Sequence, residues 1–267
     1  MHAAWCGTIQ WALLDRYILK DPIADKSLAD LRRGDVLDFR GRLLAKVSDS
    51  QANRVIGCLK TCLKEAVYRE ELPKDPTLGI GRIKHEKRER GIFTEEELKA
   101  LFPKAGLGPW PDLRAFTCFQ PAATVGLRRG ELLALRWWDV DFAGKQLHVL
   151  QAWKDDLTIG MPKWGKTRQA PLSDLAVGRL RELRGSSLHV LPDALVFHEA
   201  ASFRLTTRWW QDTFRAAMKA AKIDATGRRL TAHSFRHSLA TLLRAADQDP
   251  TRIRSAMGWS EEKGRHT

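Results

Sequence analysis

The chain has 267 residues and a formal net charge of +13, from 45 Lys+Arg against 32 Asp+Glu. With 43% hydrophobic and 29% charged residues it has the composition of a folded protein rather than a disordered tail. No apolar run is long enough to span a membrane, and Met1 to Gly7 lack the basic stretch and apolar core of a secretory signal, so a cytoplasmic protein is expected. The excess charge is shared, +5 over residues 1–90 and +8 over the remainder. Such a balance points to a polyanionic partner, because phosphate contacts release counterions and dominate that kind of binding.

Residues 1–78 read as a small all-helical unit. Its clearest piece is 50–70, where Val55, Leu59, Leu63 and Val67 recur every four residues and predict one buried helical stripe. Arg54, Lys60 and Lys64 fall between them, giving a basic outer surface expected to face DNA. Cys58 and Cys62 lie four apart in the apolar stripe, and no C-x-x-C pair exists among the four cysteines, so buried thiols are expected rather than disulfides or a zinc site. Pro73 and Pro76 stop the pattern. A linker follows over 79–92, and from Arg82 to Arg90 it carries five Lys/Arg and two Glu. Flanking glycines and a basic interior suit a flexible strap along a phosphate backbone.

The second domain is expected over 93–267. It opens on Thr94-Glu-Glu-Glu97, a capping box that starts a helix, and helical pattern runs with breaks to about Leu135. Over 145–171 the chain changes to alternation, Leu147 and Val149 against Gln146 and His148, with turns at Asp155-Asp156 and Trp164-Gly165. That predicts a small antiparallel sheet of two or three strands. Helical pattern resumes over 173–183, 207–222, 234–246 and 251–257. The fold class expected is mainly α with a small antiparallel β-sheet, an all-helical N-terminal domain preceding an α+β domain.

Three segments carry residues suited to chemistry. At 100° per residue, Trp210, Phe214, Ala217, Met218 and Ala221 form one arc of a helix. Arg208, Arg215, Lys219 and Lys222 cluster roughly 120° away, and only Asp212 and Asp224 interrupt that cationic face, which fits a DNA groove or backbone. In Gly126-Leu-Arg128-Arg-Gly-Glu131 the glycine allows a tight turn before a helix, and Glu131 lies one turn from Arg128, able to hold its guanidinium. In His233-Ser-Phe-Arg236-His237 the first histidine and the arginine are about 60° apart on a helix. His233 and His237 have the spacing of a zinc helix, but no Glu follows the first and Arg236 between them would repel a cation, so no metal is expected.

These segments, with Pro162-Lys163-Trp-Gly-Lys166-Thr-Arg-Gln-Ala-Pro-Leu172 in a hairpin and Met257-Gly-Trp259-Ser at the end, resemble the tyrosine recombinase (phage integrase) family in order and spacing over essentially the whole chain. The resemblance implies a core-binding domain followed by a catalytic domain, and a site-specific recombinase that cleaves and rejoins DNA through a 3′-phosphotyrosyl intermediate. By residue it implies that Arg128 and Arg236 bind the non-bridging oxygens of the scissile phosphate. Lys163, or Lys166 in its place, would protonate the 5′-oxygen leaving group. His233 would serve as the second acid/base group, Trp259 would donate from its indole N–H, and Glu131 would orient Arg128. Neither cofactor nor ATP is implied, since the phosphotyrosine link stores the bond energy. The implied partner is double-stranded DNA, with a homo-oligomer, a tetramer on DNA, as the family's assembly and the nucleoid of a prokaryote or phage host as its setting.

The family's nucleophile follows the His/Trp position by about nine residues, which from Trp259 lies just past Thr267. The only tyrosines are Tyr17 and Tyr68, both in the first helical unit. A chain incomplete before its nucleophile is therefore expected, lacking also the C-terminal helix that docks on a neighbouring protomer, which puts the tetramer in doubt. Two other functions compete. One is a non-catalytic DNA-binding remnant or regulator that occupies recombination sites. The other is a metal-dependent nuclease using Asp139, Asp141, Asp155 and Asp156, which the turn-like settings of those residues argue against.

Overall fold

The computed structural model describes residues 8–84, 90–154, 158–199 and 204–257. It divides into two compact units, residues 1–88 and 89–267. In the first, α1 (Thr8–Leu13) runs into a π-helical turn (Leu14–Ile18) and two 3-10 turns (Pro22–Asp25, Leu28–Asp30) before α2 (Arg33–Leu44), and a short turn joins α2 to α3 (Asp49–Tyr68). Ser48 caps α3 by accepting from the Gln51 amide, and its stripe of Val55, Leu59 and Leu63 is buried against Phe39 and Val36 of α2. Cys58 is buried in the same stripe and Cys62 is half-buried, both as thiols. The end of this unit is pinned to α3: Asn53 clamps the Ile83 backbone in both directions at 2.9 Å, and Ile80 is buried.

The second unit is built around α5 (Leu113–Thr124), whose residues 115–123 are all buried. A helix apolar on every side must be wrapped on every side. Here α7 (Asp174–Ser186) and α9 (Ala232–Ala245) pack against it, while Trp110 and Trp210 stack on its Phe119 at 4.6 and 4.0 Å. The unit begins on α4 (Glu95–Leu101), where Thr94 and Glu97 form the expected reciprocal cap at 3.2 and 2.9 Å. Just before it, Phe93 stacks on Phe235 of α9 and its amide donates to Ser238 at 2.7 Å, which anchors the entry of the chain to the helix that carries His233 and Arg236.

The sheet region is larger than the alternation at 145–171 predicts. β1 (Val140–Asp141), β2 (Gln146–Val149) and β5 (Arg168–Pro171) form an antiparallel sheet in the order β1-β2-β5. Between β2 and β5 a separate two-stranded hairpin, β3 (Ala152–Trp153) with β4 (Ile159–Gly160), leaves the sheet. It rests on the short helix α6 (Arg129–Leu133), where the Trp153 indole donates to the Leu133 carbonyl at 3.0 Å and Gln151 donates to Ala134 at 2.7 Å. The remaining elements are α8 (Thr207–Ala220) and α10 (Pro250–Met257). α8 stops two residues short of the predicted helix, because Lys222 takes a left-handed backbone (φ +53°) and Ile223 closes the end on the Met218 carbonyl. The apolar stripe of α9 also divides. Phe235 enters the main core, Leu239 and Leu243 pack on Ile253 and Met257 of α10, and Leu242 is only half-buried.

Gly126 makes the turn into α6 at φ +65°, and a Cβ there would lie 2.7 Å from the sulfur of fully buried Met257. Gly126→Ala should therefore lower the stability of the second unit by about 1–2 kcal/mol. Chemical denaturation followed by tryptophan fluorescence would show the shift, and an unchanged midpoint would mean that the turn does not need glycine.

Candidate active site

A cavity of about 800 Å³ opens in the second unit. Trp153, Trp210, Phe214, Leu127 and Leu230 give it apolar walls, and Arg128, Arg129, Glu131, Lys154, Lys163, Arg215 and His233 line it with polar groups. Four elements converge there: the start of α6, the β3–β4 hairpin with the turn that follows it, the middle of α8, and the first turn of α9. The structure thus brings Arg128, Glu131, Lys163 and His233 around one space, together with Arg215, expected on the DNA-binding face of its helix. Lys163 opens a single helical turn, Lys163–Gly165, closed by the Gly165 amide on the Pro162 carbonyl at 2.9 Å. Lys166, its substitute in the sequence reading, is not among the lining residues.

Arg128 is the N-cap of α6, and its placement follows from a local constraint. Glu131 at the third helical position reaches back, so that its Oε2 accepts the Arg128 amide at 2.8 Å and its Oε1 accepts Arg128 Nη1 at 2.8 Å. The other side of the carboxylate is taken by Arg168 of β5, through Nη1 at 3.0 Å and Nη2 at 2.7 Å. Burial pushes the Glu131 carboxyl up, and the two arginines, Arg168 foremost, overcome it and leave its pKa below the ordinary carboxylate value. Arg168 was not singled out from the sequence. The signal was present in the strand period: Arg168 and Ala170 alternate with Gln169, so both face the core beside Val149 and Leu147.

Arg236 is buried, and its guanidinium donates to the backbone carbonyls of Gly126 and Met257. It lies behind the cavity wall rather than among the lining residues. Burial and the nearby Arg128 charge, partly opposed by Glu131, push it down to about 9, still cationic at neutral pH. His233 stands in the first turn of α9, its ring 4.9 Å from that of His237. His237 Nε2 in turn accepts from Arg90 at 2.8 Å, since a guanidinium can only donate. Desolvation first, then His237 and the charges of Arg90, Arg236 and Arg128, bring His233 down to about 4, and burial with the charges of Arg90 and Arg236 lowers His237. His233 therefore rests as a neutral imidazole, even though the residue is exposed to solvent. Trp259 lies outside the described residues.

Sequence comparison adds the family. The profile of the phage integrase family matches residues 93–264, which contain every residue of the cavity. The chain belongs to the phage integrase family. Within this tyrosine recombinase family, it is 24% identical over 260 residues to the ICEBs1 integrase of Bacillus subtilis, covering 93% of this chain and 70% of that one. It is 25% identical over 178 residues to a putative integrase/recombinase of Haemophilus influenzae, and there spans 54% of the relative's length. The integrase of the Tn1549 transposon, solved in complex with transposon right-end DNA, has the same fold at a TM-score of 0.75 with 16% identity, covering 97% of this chain and 89% of that one.

The remaining residues expected on DNA are distributed as follows. Arg54 and Lys64 are exposed on α3, but Lys60 turns its ammonium to the Ile80 carbonyl. On α8, Arg208 and Arg215 are exposed, and both pair with Asp212, at 3.4 and 3.1 Å, so the face is less purely cationic than its spacing suggests. Lys219 is exposed on the same helix and Lys222 just past its end. Asp139 Oδ2 accepts the Arg136 amide at 2.9 Å, and Asp141 Oδ1 accepts the amides of Ala143 and Gly144 at 3.0 and 2.8 Å. Asp155 and Asp156 lie outside the described residues.

The depressed histidine makes a pH prediction. Between its unfolded value of 6.5 and about 4 the unfolded chain binds a proton at His233 that the folded chain does not, so this residue's contribution to stability falls as pH drops through that window. NMR titration should find the His233 imidazole neutral to below pH 5, and a bound anion should raise its pKa. A normal titration near 6.5 would contradict the cationic setting described here.

Proposed function

We propose that this chain is the core of a site-specific DNA recombinase that cleaves and rejoins strands through a 3′-phosphotyrosyl intermediate. The observation that carries this reading is the convergence of Arg128, Lys163 and His233 on one cavity, with Arg128 braced by a buried carboxylate. Phosphoryl transfer asks for donors fixed before charge grows on the non-bridging oxygens, and a braced guanidinium meets that need. A tyrosine hydroxyl attacks phosphorus, the tyrosine O–P bond forms and the bond to the 5′-oxygen breaks. His233, neutral at rest, is suited to accept the tyrosine proton, and Lys163 to give one to the departing 5′-oxygen. Arg236 adds positive charge from behind the wall, and Trp259 would complete the donor set.

The nucleophile is not a residue of the second unit. Tyr17 is half-buried against the first unit's core and Tyr68 is exposed at the end of α3, and neither follows the His/Trp position as the family's nucleophile does. The exposed basic residues of α3 and α8 also suit a second reading, a DNA-binding protein that occupies recombination sites without cutting. In either case duplex DNA is the partner, held by Arg54 and Lys64 of the first unit and by Arg208, Arg215, Lys219 and Lys222 of the second. Assembly into a tetramer on DNA belongs to the first reading only.

One experiment separates the two. The chain is extended beyond Thr267 with a tyrosine-bearing segment and incubated with a nicked duplex selected from a randomised pool. The recombinase reading expects an SDS-stable protein–DNA adduct, reduced about 10²–10³-fold by Arg128→Lys. An extended chain that binds the duplex and forms no adduct leaves DNA binding alone. Binding has its own signature: neutralising Arg215 and Lys219 together should flatten the slope of log K against log salt by about 2, and an unchanged slope would remove α8 from the DNA surface.

A further inference from the structure

We infer that Arg168 is a positioning residue of the phosphate site, acting on a phosphate only through Glu131 and Arg128. This inference rests on the proposed reaction for its purpose and on the hydrogen-bond geometry for its content. A carboxylate offers about four lone-pair sites, and in Glu131 all four are assigned. Oε1 accepts from Arg128 Nη1 and Arg168 Nη1, and Oε2 from the Arg128 amide and Arg168 Nη2. The two arginines do not hold it in the same way. Arg168 grips both oxygens with its two Nη groups, end-on, which fixes the carboxylate plane. Arg128 gives one amide and one Nη, so its guanidinium is placed by a carboxylate whose orientation is already set.

Burial divides the roles further. The side chains of Glu131 and Arg168 are 1% and 8% exposed, whereas that of Arg128 is 21% exposed and lines the cavity. Arg168 itself is absent from the lining. Its Nε is buried with no hydrogen-bond partner, an unsatisfied donor that weakens the fold. Its position on β5 opposite Val149 ties the grip to the three-stranded sheet, a rigid support of the kind a preorganised donor needs. Lysine cannot replace it, because an ammonium donates to one point and cannot set the plane of a carboxylate.

The test uses the 267-residue chain and inorganic phosphate as the probe. Arg168→Lys keeps the charge, and thermal melting checks that it folds. In the wild type the Arg128 Nη resonances should show hindered rotation, and phosphate should shift Arg128 and His233. In Arg168→Lys the Arg128 signals should average, and phosphate affinity should fall about 5–10-fold, with the melting temperature little changed. Because Arg168 acts only through Arg128, the same change made in Arg128→Lys should cost no further affinity. A second loss of equal size in that background would overturn the inference, as would an Arg128 signal insensitive to Arg168→Lys. If wild type binds no phosphate yet its Arg128 signals still depend on Arg168, the recombinase reading fails and the positioning role stands. Should Arg168→Lys fail to fold, Glu131→Gln takes its place. It keeps the size of the side chain and removes the charge, and it must average the Arg128 signals in the same way.

Discussion

The buried carboxylate of Glu131 is the constraint on which the site depends. An ionised carboxylate withdrawn from water is tolerated only when its oxygens are fully hydrogen-bonded and its charge is matched. Here both conditions are met by residues far apart in sequence, the N-cap of α6 and the second half of the sheet. Satisfying one buried charge therefore locks helix to strand. The β3–β4 hairpin is held in the same frame, since Gly130 of α6 leaves room for the Trp153 carbonyl, which a Cβ would strike. Arg128 and the rim that carries Lys163 consequently belong to one rigid piece.

The charge balance of that piece is deliberately unequal. Arg128, Arg168 and Arg236 gather around a single carboxylate, and burial together with the charges of Arg128 and Arg168 depresses the proton affinity of Arg236. One carboxylate cannot neutralise three guanidinium groups, so the free site keeps an excess positive potential beside an apolar wall, where the low dielectric strengthens it. His233 responds by staying neutral. For the proposed reaction, a site prepared in this way would hold the field a developing phosphorane needs before the phosphate arrives, and the cost of assembling it would be borne by the fold rather than by the reaction.

Much of this was legible in the sequence, for identifiable reasons. The α3 stripe and the Thr94–Glu97 cap depend on spacing within one helix, and spacing is what a sequence displays. Arg128 with Glu131 was legible for the same reason. Arg168 was not, because its partner lies 37 residues away and only strand pairing makes them neighbours. The two-residue strands of the hairpin show no alternation long enough to count. For Arg236, the helical angle to His233 was a sound guide to direction but silent on depth. The Gly126 and Met257 carbonyls that receive its guanidinium sit on other elements. Lys222 failed on a backbone detail, a left-handed residue that ends α8 before the angle count reaches it.

Helix α8 joins the two halves of the argument. Its apolar side supplies Trp210 and Phe214, which are at once core residues stacked or packed near Phe119 and walls of the cavity. Its outer side carries Arg208 and Lys219, and Arg215 lies at the border, lining the cavity while pairing with Asp212. Ion pairs as exposed as those of Asp212 contribute little to stability, so a phosphate backbone can take the arginines without unsettling the helix. Contact along that outer face would then align the duplex with the helix whose other side shapes the cavity. In the proposed function, the register of one helix would then set both where DNA lies and which phosphate stands opposite Arg128.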